Sequence, residues 1–194
     1  FIQSVPFAIA NLRHLLANPY PEYPYLCKVL KELVGLKQFT DDLQKHTLTV
    51  NTPRFQSAVL KKSEPVALND LAVQSVSTPV SITAISLEND KSIAESKHLL
   101  LCVATMILAE NAVYSDETFY SELDIGDMQL LMRSGKFRFS LKNGNKGLPT
   151  VYALNFNGSR ERKIPVELKD GVLQFSLDTS KLEYGTPYFE VVYP

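Results

Sequence analysis

The spacing of apolar and polar positions changes once along the chain. Near the N-terminus Phe7, Leu12, Leu15 and Leu16 recur at helical spacing after Ser4-Val5-Pro6, a cap followed by an early-turn proline. A second helical stripe starts at about Tyr25 and uses Leu26, Val29, Leu30, Leu33 and Val34, with Gly35 placed to end it. Between the two, Asn18 to Pro24 reads NPYPEYP, whose prolines exclude a regular helix and predict an extended connection. Thr40-Asp41-Asp42 is suited to cap one further short turn. From Thr47 onward the period falls from 3.6 to 2. About ten strands are predicted, for which TLTVN, QSAVL, LAVQSV, VSITAISL, HLLLCVATMIL, MQLLMR, KFRFSL, TVYALNF, RKIPVEL, VLQFSL and YFEVVY are the candidates. Glu88-Asn89-Asp90, Lys142-Asn143-Gly144-Asn145, Asn157-Gly158 and Lys169-Asp170-Gly171 supply the turns.

Many short strands joined by tight turns predict an antiparallel β-sandwich, because a single open sheet of that length would leave one face and its edges uncovered. The expected fold is therefore mainly β, an antiparallel β-sandwich with a short N-terminal α-helical segment. Residues 1–46 are read as a helical linker or the tail of a preceding region, and residues 47–194 as the sandwich domain. Leu99 to Leu108 is apolar throughout except at Thr105, so its period fits a buried helix or a buried strand, and a central strand is the preferred reading.

Composition removes several function classes. A formal net charge of -1 and a pI near 6.4 give no electrostatic footprint for nucleic acid or an anionic membrane surface. The run from Leu99 to Ala109 is too short to cross a bilayer as a helix, which takes roughly 20 residues. Cys27 and Cys102 lie far apart in apolar surroundings and read as free thiols, and His14, His46 and His98 are scattered without metal-ligand spacing. Neither a glycine-rich phosphate loop nor a Gly-x-Ser-x-Gly elbow occurs. No metal and no cofactor is expected.

One stretch gathers candidate binding chemistry. Glu110 to Asp127 reads ENAVYSDETFYSELDIGD and places Asp116 and Glu117 beside Tyr114, Phe119 and Tyr120. Acids are hard oxygen ligands for calcium, but the alternating acids and central glycine of an EF-hand loop are missing here. Aromatic faces stack on sugar rings, and these three supply them in a chain with no tryptophan. The plain alternative is a solvated acidic loop whose aromatics tuck onto the sandwich or a neighbouring domain.

The blocks LTVNTPRFQSAV, VSITAISLENDKSIAESKHLLLCVATMILAEN, VYALNFNGSRERKIPVELKDGVLQFSLD and TPYFEVVY occur in that order. Together they resemble the non-catalytic β-sandwich module that follows the TIM barrel in certain large glycoside hydrolases and related glycosidase-like proteins. The resemblance covers roughly Thr47 to Pro194. It implies an accessory module that packs against a catalytic barrel of the same protein, with carbohydrate as the substrate class and a secreted or extracytoplasmic setting. The two carboxyl groups of glycoside hydrolysis would then lie on the barrel, so no catalytic residue is expected in this chain. In Asn51-Thr52-Pro53-Arg54, Pro53 fixes its own φ and biases Thr52 toward extended geometry, while Arg54 offers a planar fork of donors. Arg54 is read as an interdomain anchor at a seam, paired with a buried carboxylate or with loop carbonyls. The competing function is an independent polysaccharide- or protein-binding module of adhesion type that uses the Tyr114 to Tyr120 loop.

Overall fold

A computed structural model of the chain describes residues 38–42, 44–116, 119, 121–127, 129–182 and 185–194. The two expected helical stripes fall in residues 1–37 and lie outside them. The first strands are β1 (Phe39–Asp42), β2 (Thr47–Asn51), β3 (Phe55–Leu60), β4 (Val66–Ala67), β5 (Leu71–Val76), β6 (Val80–Ser86) and β7 (His98–Ala104). Then come β8 (Ile107–Ala109), β9 (Val113–Tyr114), β10 (Glu122–Asp124), β11 (Leu130–Met132), β12 (Lys136–Lys142) and β13 (Thr150–Leu154). The last are β14 (Arg160–Ile164), β15 (Glu167–Lys169), β16 (Val172–Asp178) and β17 (Tyr188–Val192). Among the described residues the one helical element is a 3₁₀ turn at Thr179–Lys181.

Two antiparallel sheets make the body. The larger has the order β1-β2-β3-β6-β7-β17-β13-β14, and the smaller β15-β16-β12-β5-β4. The period of 2 in the sequence is the cause, because it gives each strand one apolar face. Phe137, Phe139 and Leu141 of β12 and Leu173, Phe175 and Leu177 of β16 point inward from the small sheet. Ile82 and Ala84 of β6, Leu99, Leu101 and Val103 of β7, and Phe189 and Val191 of β17 meet them from the large one, in a single core. Phe139 and Phe175, directly opposite in register, stack with centroids 4.5 Å apart and ring planes 7° apart. Ile93, in the β6–β7 connection, is fully buried in the same core.

Local chemistry explains where the expectations hold and where they change. Each of the eleven candidate stretches overlaps a strand, but two of them divide. RKIPVEL breaks at Pro165 into β14 of the large sheet and β15 of the small one. HLLLCVATMIL breaks at Thr105-Met106 into β7, central in the large sheet between β6 and β17, and β8 outside it, so the central strand ends at Ala104 and does not run to Leu108. The expected Lys169-Asp170-Gly171 turn closes a two-residue hairpin between Lys169 and Val172, with φ of 52° at Asp170 and 76° at Gly171. Positive φ at both central residues is what a type I′ turn demands. The helical turn expected at Thr40-Asp41-Asp42 is instead β1, paired with β2 from Phe39 opposite Val50 to Asp42 opposite Thr47. Asp42 does act as a cap, but of a hairpin: its Oδ1 accepts from the Gln44 and Lys45 N–H groups, each at 3.1 Å. The same side-chain geometry serves either a helix start or a turn. The large sheet therefore reaches back to Phe39, ahead of Thr47.

The outer face of the large sheet departs from simple alternation. Row by row across the strands, Phe55, Ile85 and Leu100 are in register with Glu190, Tyr152 and Lys163. The next row places Val50, Ser57, Thr83, Cys102 and Tyr188 side by side. At one edge, β14 runs Arg160-Glu161-Arg162-Lys163-Ile164.

Candidate functional site

Between β7 and β12 the chain leaves the sandwich as a β-arm, described at residues 105–116, 119, 121–127 and 129–133. Its base is closed by the Arg133 N–H, which donates to the Met106 carbonyl at 2.8 Å, and by the Thr105 hydroxyl, which donates to the Arg133 carbonyl. The proximal ribbon pairs β8 with β11, setting Ile107 opposite Met132, Leu108 opposite Leu131 and Ala109 opposite Leu130. The distal ribbon pairs β9 with β10, with a register shift between Glu122 and Asp124. An elbow joins the two. There the Glu110 N–H donates to the Gln129 carbonyl at 2.8 Å, and the Asp127 N–H donates to the Glu110 carbonyl at 2.6 Å. Gly126 makes the elbow possible, since its φ is +67° and a Cβ at this position would stand 2.2 Å from the Glu110 carbonyl oxygen.

The arm is apolar and acidic at once. Ile107, Val113, Leu123, Ile125, Leu130 and Leu131 are all exposed, and they are half of the large apolar side chains exposed among the described residues. Alternation along β8 and β11 puts Ile107 and Leu130 on one face of the ribbon and Leu131 on the other. From Thr105 to Met132 the sequence holds six acidic residues and no Lys, Arg or His. A two-stranded ribbon without apolar backing is marginal in water, so an arm of this composition calls for a second surface.

The structure brings together three of the five expected binding residues. Tyr114 and Phe119 meet edge to face with centroids 5.1 Å apart and planes at 75°. Phe119 has φ of 58°, and its N–H donates to the Asp116 carbonyl at 3.3 Å. The Ser115 hydroxyl donates to the Asp116 carboxylate at 3.3 Å. Rings at this angle do not form one flat platform. Tyr120 and Glu117 lie outside the described residues. Among the described residues no three of His, Cys, Asp and Glu form a group able to hold a metal ion.

Arg54 sits in the β2–β3 hairpin, where Asn51 faces Gln56 across the turn. The Thr52 hydroxyl closes that turn, accepting from the Phe55 N–H at 3.0 Å. Arg54 donates through Nη2 to the Glu88 carbonyl at 3.1 Å, and the Pro53 carbonyl accepts from the Ile93 N–H at 2.8 Å. Asn51-Thr52-Pro53-Arg54 is thus a hairpin turn tied to the β6–β7 connection of the same sandwich. Glu88 organises that connection: one carboxylate oxygen accepts from Lys91 Nζ at 2.6 Å, the other from the Ser96 hydroxyl at 3.2 Å and the Lys97 N–H. These donors, Lys91 foremost, hold its carboxyl down at about 2.

Three further features were not visible in the sequence. Gln56 is fully buried, and its Oε1 accepts from the Asp70 and Leu71 N–H groups at 2.9 and 2.8 Å while Nε2 donates to Asp70 Oδ2 at 2.6 Å. This amide links the large sheet to β5 of the small one. On the outer face, Glu190 accepts from Arg160 Nε at 2.6 Å and pairs with His98 Nε2 at 2.6 Å, while Arg160 lies 4.3 Å over the Tyr152 ring. Arg160, then His98, hold the Glu190 carboxyl below its ordinary value. The third feature is an open cleft of about 530 Å³ at the end of the sandwich where β12 finishes, lined by Lys142, Lys146, Gly147, Leu168, Asp170 and Val172 among others. Signals for these were absent because each depends on partners distant in sequence, such as Lys142 and Asp170.

No protein-family model, curated protein or solved structure matches the chain.

Proposed function

We propose that the chain is an accessory, non-catalytic β-sandwich module of a carbohydrate-active, glycoside-hydrolase-like protein, packing against and stabilising a catalytic barrel outside this chain. The observation that carries this reading is the outer face of the large sheet. An antiparallel sheet with one solvated face alternates apolar-in and polar-out. Here Val50, Phe55, Ile85, Leu100, Cys102 and Tyr188 stand at outward positions. Phe55 and Tyr188 are exposed at 38% and 37%, whereas Val50, Ile85, Leu100 and Cys102 are half-buried and Ser57 and Thr83 among them are buried, so the open apolar surface lies at Phe55 and Tyr188. Covering such a face contributes about 25 cal/mol for each Å² of apolar surface removed from water, so a packed neighbour is the arrangement it favours. Arg54, exposed next to Phe55, is assigned as the anchor at that junction. The ordered sequence blocks from Thr47 to Pro194 support the same family of modules.

The test is the intact mass of the native gene product in its source cells, read with an antibody raised against this chain. A species far heavier than 21.8 kDa is the expected result, and a species of that mass would overturn the reading. The Tyr114–Phe119 pair, beside Asp116, favours the second reading, an independent glycan- or protein-binding module. Glycan-array binding by the isolated chain that disappears in Tyr114→Ala would establish that reading instead.

A further inference from the structure

The arm and the cleft are complementary, and they stand at opposite ends of the same sandwich. The arm joins the body just before Lys136, where β12 begins, whereas the cleft is built around Lys142, where β12 ends. A strand of that length separates them by about 20 Å at 3.3 Å per residue. The distal ribbon and elbow read Glu122-Leu123-Asp124-Ile125, with Leu123 69% and Ile125 72% exposed. The cleft offers the apolar side chains of Ala94, Val172 and the half-exposed Leu168, and two exposed lysines, Lys142 and Lys146, against one acid, Asp170. The asymmetry extends to the whole chain. With the net charge at -1, and six acids but no Lys or Arg in the sequence between Thr105 and Met132, the remaining residues carry a net +5.

We propose that copies of this chain associate head to tail, the Leu123–Ile125 segment of one arm seating in the Lys142/Lys146/Leu168 cleft of the next copy. The contact is heterologous: each molecule brings a donor end and an acceptor end, so association continues into a ring or an open filament instead of stopping at a symmetric pair. Apolar burial supplies the affinity, and the opposed charges set the orientation and the approach rate. The inference does not depend on the accessory-module reading, because it concerns two surfaces of this chain alone.

The test uses the 194-residue chain in sedimentation velocity and light scattering over a concentration series at low and high salt. The expected result is a weight-average mass that climbs above 21.8 kDa with concentration, and less steeply at high salt. Two variants separate the ends: Leu123→Asp with Ile125→Asp disables the donor, and Lys142→Glu with Lys146→Glu disables the acceptor. All four positions are exposed, so both variants should keep the wild-type circular dichroism spectrum and melting midpoint. Each variant alone should self-associate at least roughly tenfold more weakly than the wild type, the loss expected for a central anchor. Mixed together, they retain one good donor and one good acceptor, and should form a one-to-one complex that grows no further. A wild-type chain that stays monomeric throughout, self-association untouched by either variant, or a mixture that forms no complex would each overturn the proposal.

Discussion

Gln56 offers the most direct test of how the two sheets are fastened. In Gln56→Leu the volume is nearly conserved, but the Asp70 and Leu71 N–H groups lose the Oε1 acceptor they reach at 2.9 and 2.8 Å, and Asp70 loses its bond from Nε2. Each buried N–H left without an acceptor costs about 1–3 kcal/mol, so the substitution should cost about 2–5 kcal/mol. That is a large part of the 5–15 kcal/mol that holds an ordinary domain together. At this chain length the melting midpoint should fall by roughly 5–15 °C. The chain lacks tryptophan, so urea unfolding is best followed by far-ultraviolet circular dichroism. The midpoint should drop with an unchanged slope. Gln56→Glu keeps the acceptor but sets a carboxylate against Asp70, so its deficit should shrink as the pH falls through the carboxylate range. A Gln56→Leu protein within about 0.5 kcal/mol of the wild type, the range of neutral surface changes, would show that the two amides do not depend on this side chain.

Other perturbations read other parts of the molecule. Gly126→Ala forces a Cβ to within 2.2 Å of the Glu110 carbonyl oxygen at a φ of +67°, so hydrogen exchange and protease nicking should rise across residues 107–131 while the midpoint of the sandwich scarcely moves; unchanged exchange there would refute the elbow. The Glu88 carboxyl is held from 4.5 down to about 2, so its contribution is fully present above 4.5 and is lost as the pH falls from there through about 2. Glu88→Gln should flatten the acid limb of the stability profile in that window, and an identical slope in both proteins would contradict this. Burial pushes the Cys102 thiol up to about 11, so alkylation of residue 102 at pH 8 should be slow in the native protein and fast in denaturant, as read by peptide mass spectrometry. Rapid native labelling would show the thiol to be open.

The strands were legible because a period of 2 is a property of neighbouring residues, and stretches such as KFRFSL and VLQFSL carry it unmistakably. The shortest strands carry none. Val66–Ala67 and Val113–Tyr114 are two residues each, and what defines them is a pairing partner elsewhere in the chain. Phe39–Asp42 escaped for a different reason, since an aspartate that accepts from N–H groups two and three residues on has the same local signature at a helix start and in a hairpin. In the candidate site, composition revealed the acids and aromatics between Glu110 and Asp127, but not that β8 to β11 fold them into an arm. Nor could local pattern pair Gln56 with Asp70, or Glu190 with His98 and Arg160, whose separations reach 92 residues.

The charged run in β14 has a consequence for what this protein does when crowded. Every sheet that does not close ends in strands with unmet amides and carbonyls, ready to template another chain. Here one rim of the eight-stranded sheet carries Arg160, Glu161, Arg162 and Lys163 in succession, so an incoming strand would have to desolvate ionic side chains, the exposed Arg162 and Lys163 among them, before gaining its first ladder bond. The opposite rim ends in Asp41 and Asp42, and the small sheet finishes in the two-residue β4 on one side and in Glu167 and Lys169 on the other. Fibrillar growth through any of these borders is thereby discouraged, which leaves the molecule able to be concentrated, or strung into an array, without its sheets running together.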